Sequence, residues 1–294
     1  MAVSEIDVVR ALLRAKPRPI GWAARRERLD EVGAQKVGAD ISLESEIYEG
    51  LPLEWSLAPG GDPSRALLFF HGGGYCSGSI LSHRGLVTAA GRAAGVRTLA
   101  VGFRLAPEHP FPAALEDAAA AYELLLARGF DPRRIALGGD SSGGGLALAL
   151  LISPRDAGRP LPGCGWLVSP WVDLEMTGAS IESKASIDPL LQKSYFDELA
   201  VSYLAGTDPK NPLASPLRAN LSGLPPLFVQ VGSAETLLDA AVRIVARAGA
   251  ADVAAMLEIW PHMIHAWPLW ADQLESGRAA LASAGAFIRG RPAC

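Results

Sequence analysis

Cysteine is scarce in this sequence, with three residues in 294, at Cys76, Cys164 and Cys294. They lack metal-ligand spacing, and an odd count cannot pair fully within one chain. A disulfide scaffold is therefore excluded, no metal site is expected, and a reducing, cytoplasmic setting is the simplest expectation. Long apolar runs are also missing; none approaches the roughly 18 residues that a membrane span requires. The first residues, Met1 to Arg10, carry acids early and have no unbroken apolar stretch, so a signal peptide is not expected there. Nor does one sign of charge dominate. There are 27 basic and 31 acidic residues, a net charge of -4, which gives no electrostatic basis for binding nucleic acid. Arg25, Arg26 and Arg28 are interleaved with Glu27 and Asp30, the pattern of a solvated helix face. Internal repeats and low-complexity tracts are absent as well.

What is present is apolar material. Hydrophobic residues make up 49% and charged residues 20%, enough for a substantial core. At about 150 residues per domain, the length suits one large domain with or without a smaller appendage. Residues 1 to 40 have helical spacing, with Ile6, Val9, Leu12 and Leu13 on one face until Pro17 and Pro19 interrupt. Two strand-like runs, starting at Glu46 and Leu53, flank Gly50 as a hairpin turn. Short apolar runs then alternate with helical stretches: Ala66 to Phe70, Val96 to Val101, Ile135 to Leu137, Trp166 to Val168, Leu227 to Val231 and Val253 to Ile259. This alternation predicts an α/β fold with a largely parallel sheet and helices on both faces. The connection from Val168 to Leu227 is too long for a simple crossover and holds a helical segment, Leu190 to Leu204. It reads as an insertion. With the first segment it predicts a helical cap, residues 1–40 plus 175–212, over a catalytic domain of residues 41–174 plus 213–294.

The chemistry centres on one turn. The strand Ile135 to Leu137 runs into Gly138-Gly-Asp-Ser-Ser-Gly-Gly-Gly145, and an apolar helical run follows. Gly139-Asp-Ser141-Ser-Gly143 in that setting is a nucleophile elbow, a strained turn that lifts a serine hydroxyl above a helix amino terminus. A nucleotide-binding loop is excluded by spacing and by the lack of a nearby lysine. Upstream, His71-Gly72-Gly73-Gly74 follows a strand directly, and such a run of glycines exposes backbone N–H groups that suit an oxyanion hole. The stretch Gly74-Tyr-Cys76-Ser-Gly78 mimics a cysteine elbow but follows a loop, so Cys76 is expected to be a small buried residue.

His71-Gly-Gly-Gly, Phe103-Arg-Leu-Ala-Pro-Glu-His, Gly139-Asp-Ser-Ser-Gly-Gly, Ser169-Pro-Trp-Val-Asp-Leu and the His265-Ala-Trp segment together resemble the bacterial hormone-sensitive-lipase-like esterases (family IV). The resemblance implies an α/β-hydrolase sheet, a cap, no cofactor and action on short acyl esters. It also implies a homodimer, for which the last strand, Val253 to Ile259, is a candidate edge. Three positions depart from the pattern: Ser142 stands for alanine, Phe103 for tyrosine and Glu235 for aspartate.

The nucleophile's partners should follow in the order acid, then histidine. After Val231 the sequence offers Glu235 and Asp239; Glu235 lies nearer the strand end and matches the family's acid position. Of five histidines, His262 and His265 follow the last strand, and His265 matches the family's base. The N–H groups of Gly72, Gly73 and Ser142 are the expected oxyanion donors, and His71 is expected to brace their loop. Trp22, Leu190, Leu191, Tyr195 and Phe196 are candidates for an acyl pocket. A small-molecule ester is the expected partner. The rival class is a binding protein on the same scaffold, such as the plant gibberellin receptors that lack the histidine; keeping serine, acid and histidine argues against it.

Overall fold

The computed structural model describes residues 4–33 and 37–290. Cys294 and the first three residues lie outside this range. Two helices open the chain, α1 (Glu5–Ala15) and α2 (Trp22–Gly33), separated at the Pro17 and Pro19 turn. The hairpin β1 (Ser42–Tyr48) and β2 (Leu51–Leu57) follows. Its two-residue turn has positive φ at both Glu49 (50°) and Gly50 (85°), the geometry that matches the natural twist of a hairpin. The remaining elements are β3 (Asp62–Phe70), α3 (Ile80–Ala94), β4 (Val96–Val101), α4 (Ala113–Ala127), β5 (Ile135–Asp140), α5 (Ser142–Asp156) and β6 (Cys164–Val168). After them come α6 (Ser180–Ser183), α7 (Lys193–Leu204), β7 (Leu227–Gly232), α8 (Leu238–Ala250), β8 (Ala255–Trp260) and α9 (Glu275–Arg289).

The strands form one sheet in the order β1-β2-β4-β3-β5-β6-β7-β8. β1, β2 and β4 pair antiparallel, and every pairing from β4 to β8 is parallel. Period-two alternation in β3 divides the core. Leu68 and Phe70 pack with α4, α5 and α8 on one face, whereas Leu67 and Phe69 pack with α3 and α9 on the other. Both faces are covered, which is why these strands read as unbroken apolar runs. At the far edge β8 pairs only with β7 and leaves Met256 and Ile259 about half exposed.

The insertion helix begins at Lys193, three residues later than its apolar spacing implied, because Pro189 and the turn anchored by Asp188 occupy the preceding positions. Arg25 pairs with Glu198 of α7 at 2.9 Å. The Arg18 guanidinium lies 3.3 Å from the Tyr195 ring centroid and donates to the Leu190 carbonyl. The first segment and the insertion thus meet over the carboxyl ends of β3, β5, β6, β7 and β8. No helix among the described residues is long and apolar enough to cross a membrane.

Candidate active site

Those strand ends bring Ser141, Glu235 and His265 to one place. β5 ends at Asp140, α5 starts at Ser142, and Ser141 between them takes φ 55° and ψ -123°. For a residue with a Cβ this costs roughly 1–3 kcal/mol and persists only where the surroundings over-determine it. They do. The Ser141 N–H donates to the Val168 carbonyl at 2.9 Å, and the Ser141 carbonyl accepts the Trp171 N–H at 2.8 Å. The flanking glycines are sterically required: a Cβ on Gly139 would lie 2.2 Å from the Gly143 oxygen, and one on Gly143 would lie 2.0 Å from the Phe70 oxygen. The turn aims the serine above the positive end of α5.

β7 and β8 supply the partners. Glu235 is fully buried just past β7, and its Oε2 stands 2.8 Å from His265 Nδ1. The other oxygen, Oε1, accepts the Gly232 N–H at 2.6 Å and the Ser169 hydroxyl at 2.7 Å. Ser169 in turn accepts the Ala266 N–H at 3.1 Å, so one hydroxyl links the carboxylate to the histidine loop. Burial pulls the His265 pKa down, but the hydrogen bond and charge of Glu235, with the charges of Asp188 and Asp140, outweigh it and hold the imidazole above its ordinary value. Asp239 sits on α8 and pairs with Arg243 at 3.5 Å. His262 is exposed, and its carbonyl accepts from Arg10 at 2.8 Å.

The glycine loop corrects one expectation. The Gly72 N–H, expected among the oxyanion donors, is donated to Asp140 Oδ1 at 3.0 Å. Gly73 and Gly74 face the cavity instead, both at positive φ (117° and 66°). A Cβ on Gly74 would meet Leu199 of α7 at 2.5 Å, so this glycine admits close packing of the insertion. Ser142 is the first residue of α5, where a helix leaves its N–H without an intrahelical partner, and its hydroxyl accepts the Tyr75 N–H at 3.2 Å. His71 stacks on Phe103 at 4.2 Å and contacts the Gly72 carbonyl through Nδ1 at 2.8 Å. Burial, with the neighbouring His83, pushes its pKa down to about 3, so it is a neutral brace. Cys76 is buried, and burial pushes its thiol up to about 12, which leaves no thiolate to act as a nucleophile.

Ser141 and His265 share the wall of a cavity of about 250 Å³ with Gly73, Gly74, Trp171, Leu190, Leu191, Tyr195, Phe196 and Leu199. Four of the five expected pocket residues are there. Trp22 is not: it is half-buried against the main core with the Arg25 guanidinium 4.7 Å from its ring. From the first segment, Leu13 of α1 and Leu29 and Val32 of α2 line the cavity in its stead. His83 also reaches the cavity and lies 3.2 Å from Asp140. Asp140 and Ser169 stand inside the Gly139–Gly143 and Ser169–Leu174 motifs, but nothing local marks their contacts with Gly72 and Glu235. Among the described residues no group of three or more His, Cys, Asp or Glu side chains could hold a metal ion.

A mostly parallel sheet with a strained serine after β5 and a buried carboxylate–imidazole pair after β7 and β8 defines an α/β hydrolase. A family model described as alpha/beta hydrolase fold matches residues 67–269. An acetyl-hydrolase of Streptomyces hygroscopicus is 42% identical over 300 residues, covering 98% of this chain and 97% of its own. The crystal structure of an esterase from the bacterial hormone-sensitive lipase family superposes with a TM-score of 0.95 at 47% identity, covering 99% of each chain. EstE5, in a crystal soaked with p-nitrophenyl butyrate, superposes with a TM-score of 0.94 at 42% identity over 99% of each chain. The chain belongs to the bacterial hormone-sensitive-lipase-like (family IV) esterases of the α/β-hydrolase superfamily.

Proposed function

We propose that this protein is a carboxylic ester hydrolase that cleaves short-chain acyl esters through an acyl-enzyme on Ser141, with His265 as base and Glu235 as acid. The observation that carries this reading is the 2.8 Å contact of Glu235 with His265 Nδ1, with His265 Nε2 left to serve the cavity it shares with Ser141. As Ser141 Oγ bonds to the ester carbonyl carbon, its proton passes to His265 Nε2. The carbonyl oxygen becomes an oxyanion, and the N–H groups of Gly73, Gly74 and Ser142 are its donors. When the tetrahedral centre collapses, the carbon–oxygen bond to the alcohol breaks and the Nε2 proton leaves with it. Water, giving a proton to the same nitrogen, then attacks the acyl carbon; the bond to Ser141 Oγ breaks, Oγ takes that proton from Nε2, and the carboxylic acid is released. Throughout, Glu235 holds the Nδ1 proton and offsets the imidazolium charge.

Residues 1–40 and 175–212 form the cap in this reading, and the cavity's modest volume and its Leu190, Leu191 and Phe196 walls favour short acyl chains. The scarcity of cysteine supports a cytoplasmic setting, and the half-exposed β8 edge supports a homodimer. The test is a chain-length series of p-nitrophenyl esters run beside Ser141→Ala. Turnover should peak at short acyl groups and vanish in the variant, whose circular dichroism should match the parent. Substantial turnover by Ser141→Ala would remove the nucleophile.

A further inference from the structure

Asp188 has no role in the reaction above, yet it is buried and both of its carboxylate oxygens are engaged. Oδ1 accepts the N–H groups of Leu190 at 2.9 Å and Leu191 at 3.0 Å. Oδ2 accepts the N–H of Thr236 at 2.8 Å and its hydroxyl at 3.0 Å. The two pairs of donors belong to different parts of the site. Leu190 and Leu191 wall the cavity, and Thr236 immediately follows Glu235. Ser180, from the same insertion, adds a hydrogen bond to the Thr236 carbonyl at 2.5 Å.

We infer that Asp188 is a positioning residue that fixes the Leu190–Leu191 wall and the Glu235 loop relative to each other, and so aligns the acid on His265. The inference rests on the assignment of Glu235 and His265 given above. A turn cap alone would explain only the Leu190 and Leu191 bonds, and an asparagine oxygen would serve them equally well. The Thr236 bonds demand more. Two donors point at Oδ2, so an amide nitrogen there would leave them facing another donor, unpaired in a buried network. Charge acts in the same direction. The ionisable groups facing His265 are Glu235, Asp188 and Asp140, all carboxyls; those facing Asp188 are His265 and Arg18.

Asp188→Asn separates these roles, because it keeps size and the Leu190–Leu191 bonds while removing charge and the Thr236 acceptor. With p-nitrophenyl butyrate, kcat should fall about tenfold or more with a smaller change in KM. The acid limb of the pH–rate profile should move to lower pH, since one carboxylate favouring the imidazolium has gone. Thr236→Val, which loses only the hydroxyl bond, should turn over more slowly than Thr236→Ser with the limb of both unmoved. Should Asp188→Asn fail to fold, the two Thr236 variants decide: equal kcat would overturn the proposal. A folded Asp188→Asn with the parent's kcat and acid limb, beside a crippled Glu235→Gln, would reduce Asp188 to a turn cap and leave the acid assignment standing. Full turnover by Glu235→Gln would instead remove that assignment, and the role of Asp188 with it.

Discussion

Asp140 Oδ1 accepts the Gly72 N–H at 3.0 Å, which joins the residue before Ser141 to the first glycine of the His71–Gly74 loop. The same carboxylate meets His83 Nε2 at 3.2 Å. Burial raises the Asp140 pKa, but His83, with smaller contributions from His265 and His71, outweighs it and holds the group below the usual carboxylate range. A depressed folded pKa stabilises the fold fully above the ordinary aspartate value, about 3.9, and the contribution is lost as pH falls through the lower folded value. Asp140→Asn should therefore destabilise the protein at neutral pH and lower kcat by about tenfold to a hundredfold through a displaced oxyanion loop. Thermal melts and steady-state kinetics check it; unchanged kcat would show that the Gly72 bond does not set the donors.

Glu235 and Asp239 were both open to the acid role from their order in the chain. Only Glu235 bonds His265, while Asp239 pairs with Arg243. Glu235→Ala should lower kcat by about 10³ or more, by analogy with the loss of a triad acid. Asp239→Ala should stay within about twofold of the parent. The reverse ranking in kcat would reassign the acid.

As the proposed base, His265 should set the acid limb. In that role its proton must be absent for Ser141 to be activated, so kcat/KM should fall as pH drops through the His265 pKa. That pKa is raised, mainly because the Glu235 bond and charge outweigh burial. The midpoint of the limb should thus lie above about 6.5, the ordinary histidine value. Stability runs the other way: the contribution of the protonated pair is complete below about 6.5 and is lost as pH rises through the folded value. A limb at or below the ordinary value, measured with a substrate whose own ionisation is flat, would contradict the raised basicity.

How much of this was legible in the chain depends on range. The strands and the elbow were readable because their signals are local: period-two and unbroken apolar runs for β3 to β7, glycines at fixed offsets for Ser141. The glycine loop is legible in the sequence, but the engagement of the Gly72 N–H is not, since the Asp140 that accepts it is 68 positions away. Trp22, a candidate for the cavity, packs against the main core, whereas Leu29 and Val32 of α2 line the cavity. Asp188 carries no local pattern, and Ser169, though inside the Ser169-Pro-Trp-Val-Asp-Leu motif, shows nothing there of its bond to Glu235. Their meaning lies in contacts that only the closed fold brings together.

Ser169 yields the last prediction. Its hydroxyl donates to Glu235 Oε1 at 2.7 Å and accepts the Ala266 N–H at 3.1 Å, the residue after His265. In Ser169→Ala the Ala266 N–H loses its acceptor in a buried setting, which costs about 1–3 kcal/mol. Glu235 Oε1 keeps only the Gly232 N–H, so the carboxylate can swing away from His265 Nδ1. Ser169 does not line the cavity, so binding of the ester should be little affected. The expected result is a lower Tm and a kcat reduced about tenfold at nearly constant KM. A variant that loses stability but keeps the parent's kcat would show that Gly232 alone orients the acid; one that loses KM instead would place Ser169 on the substrate side of the pair.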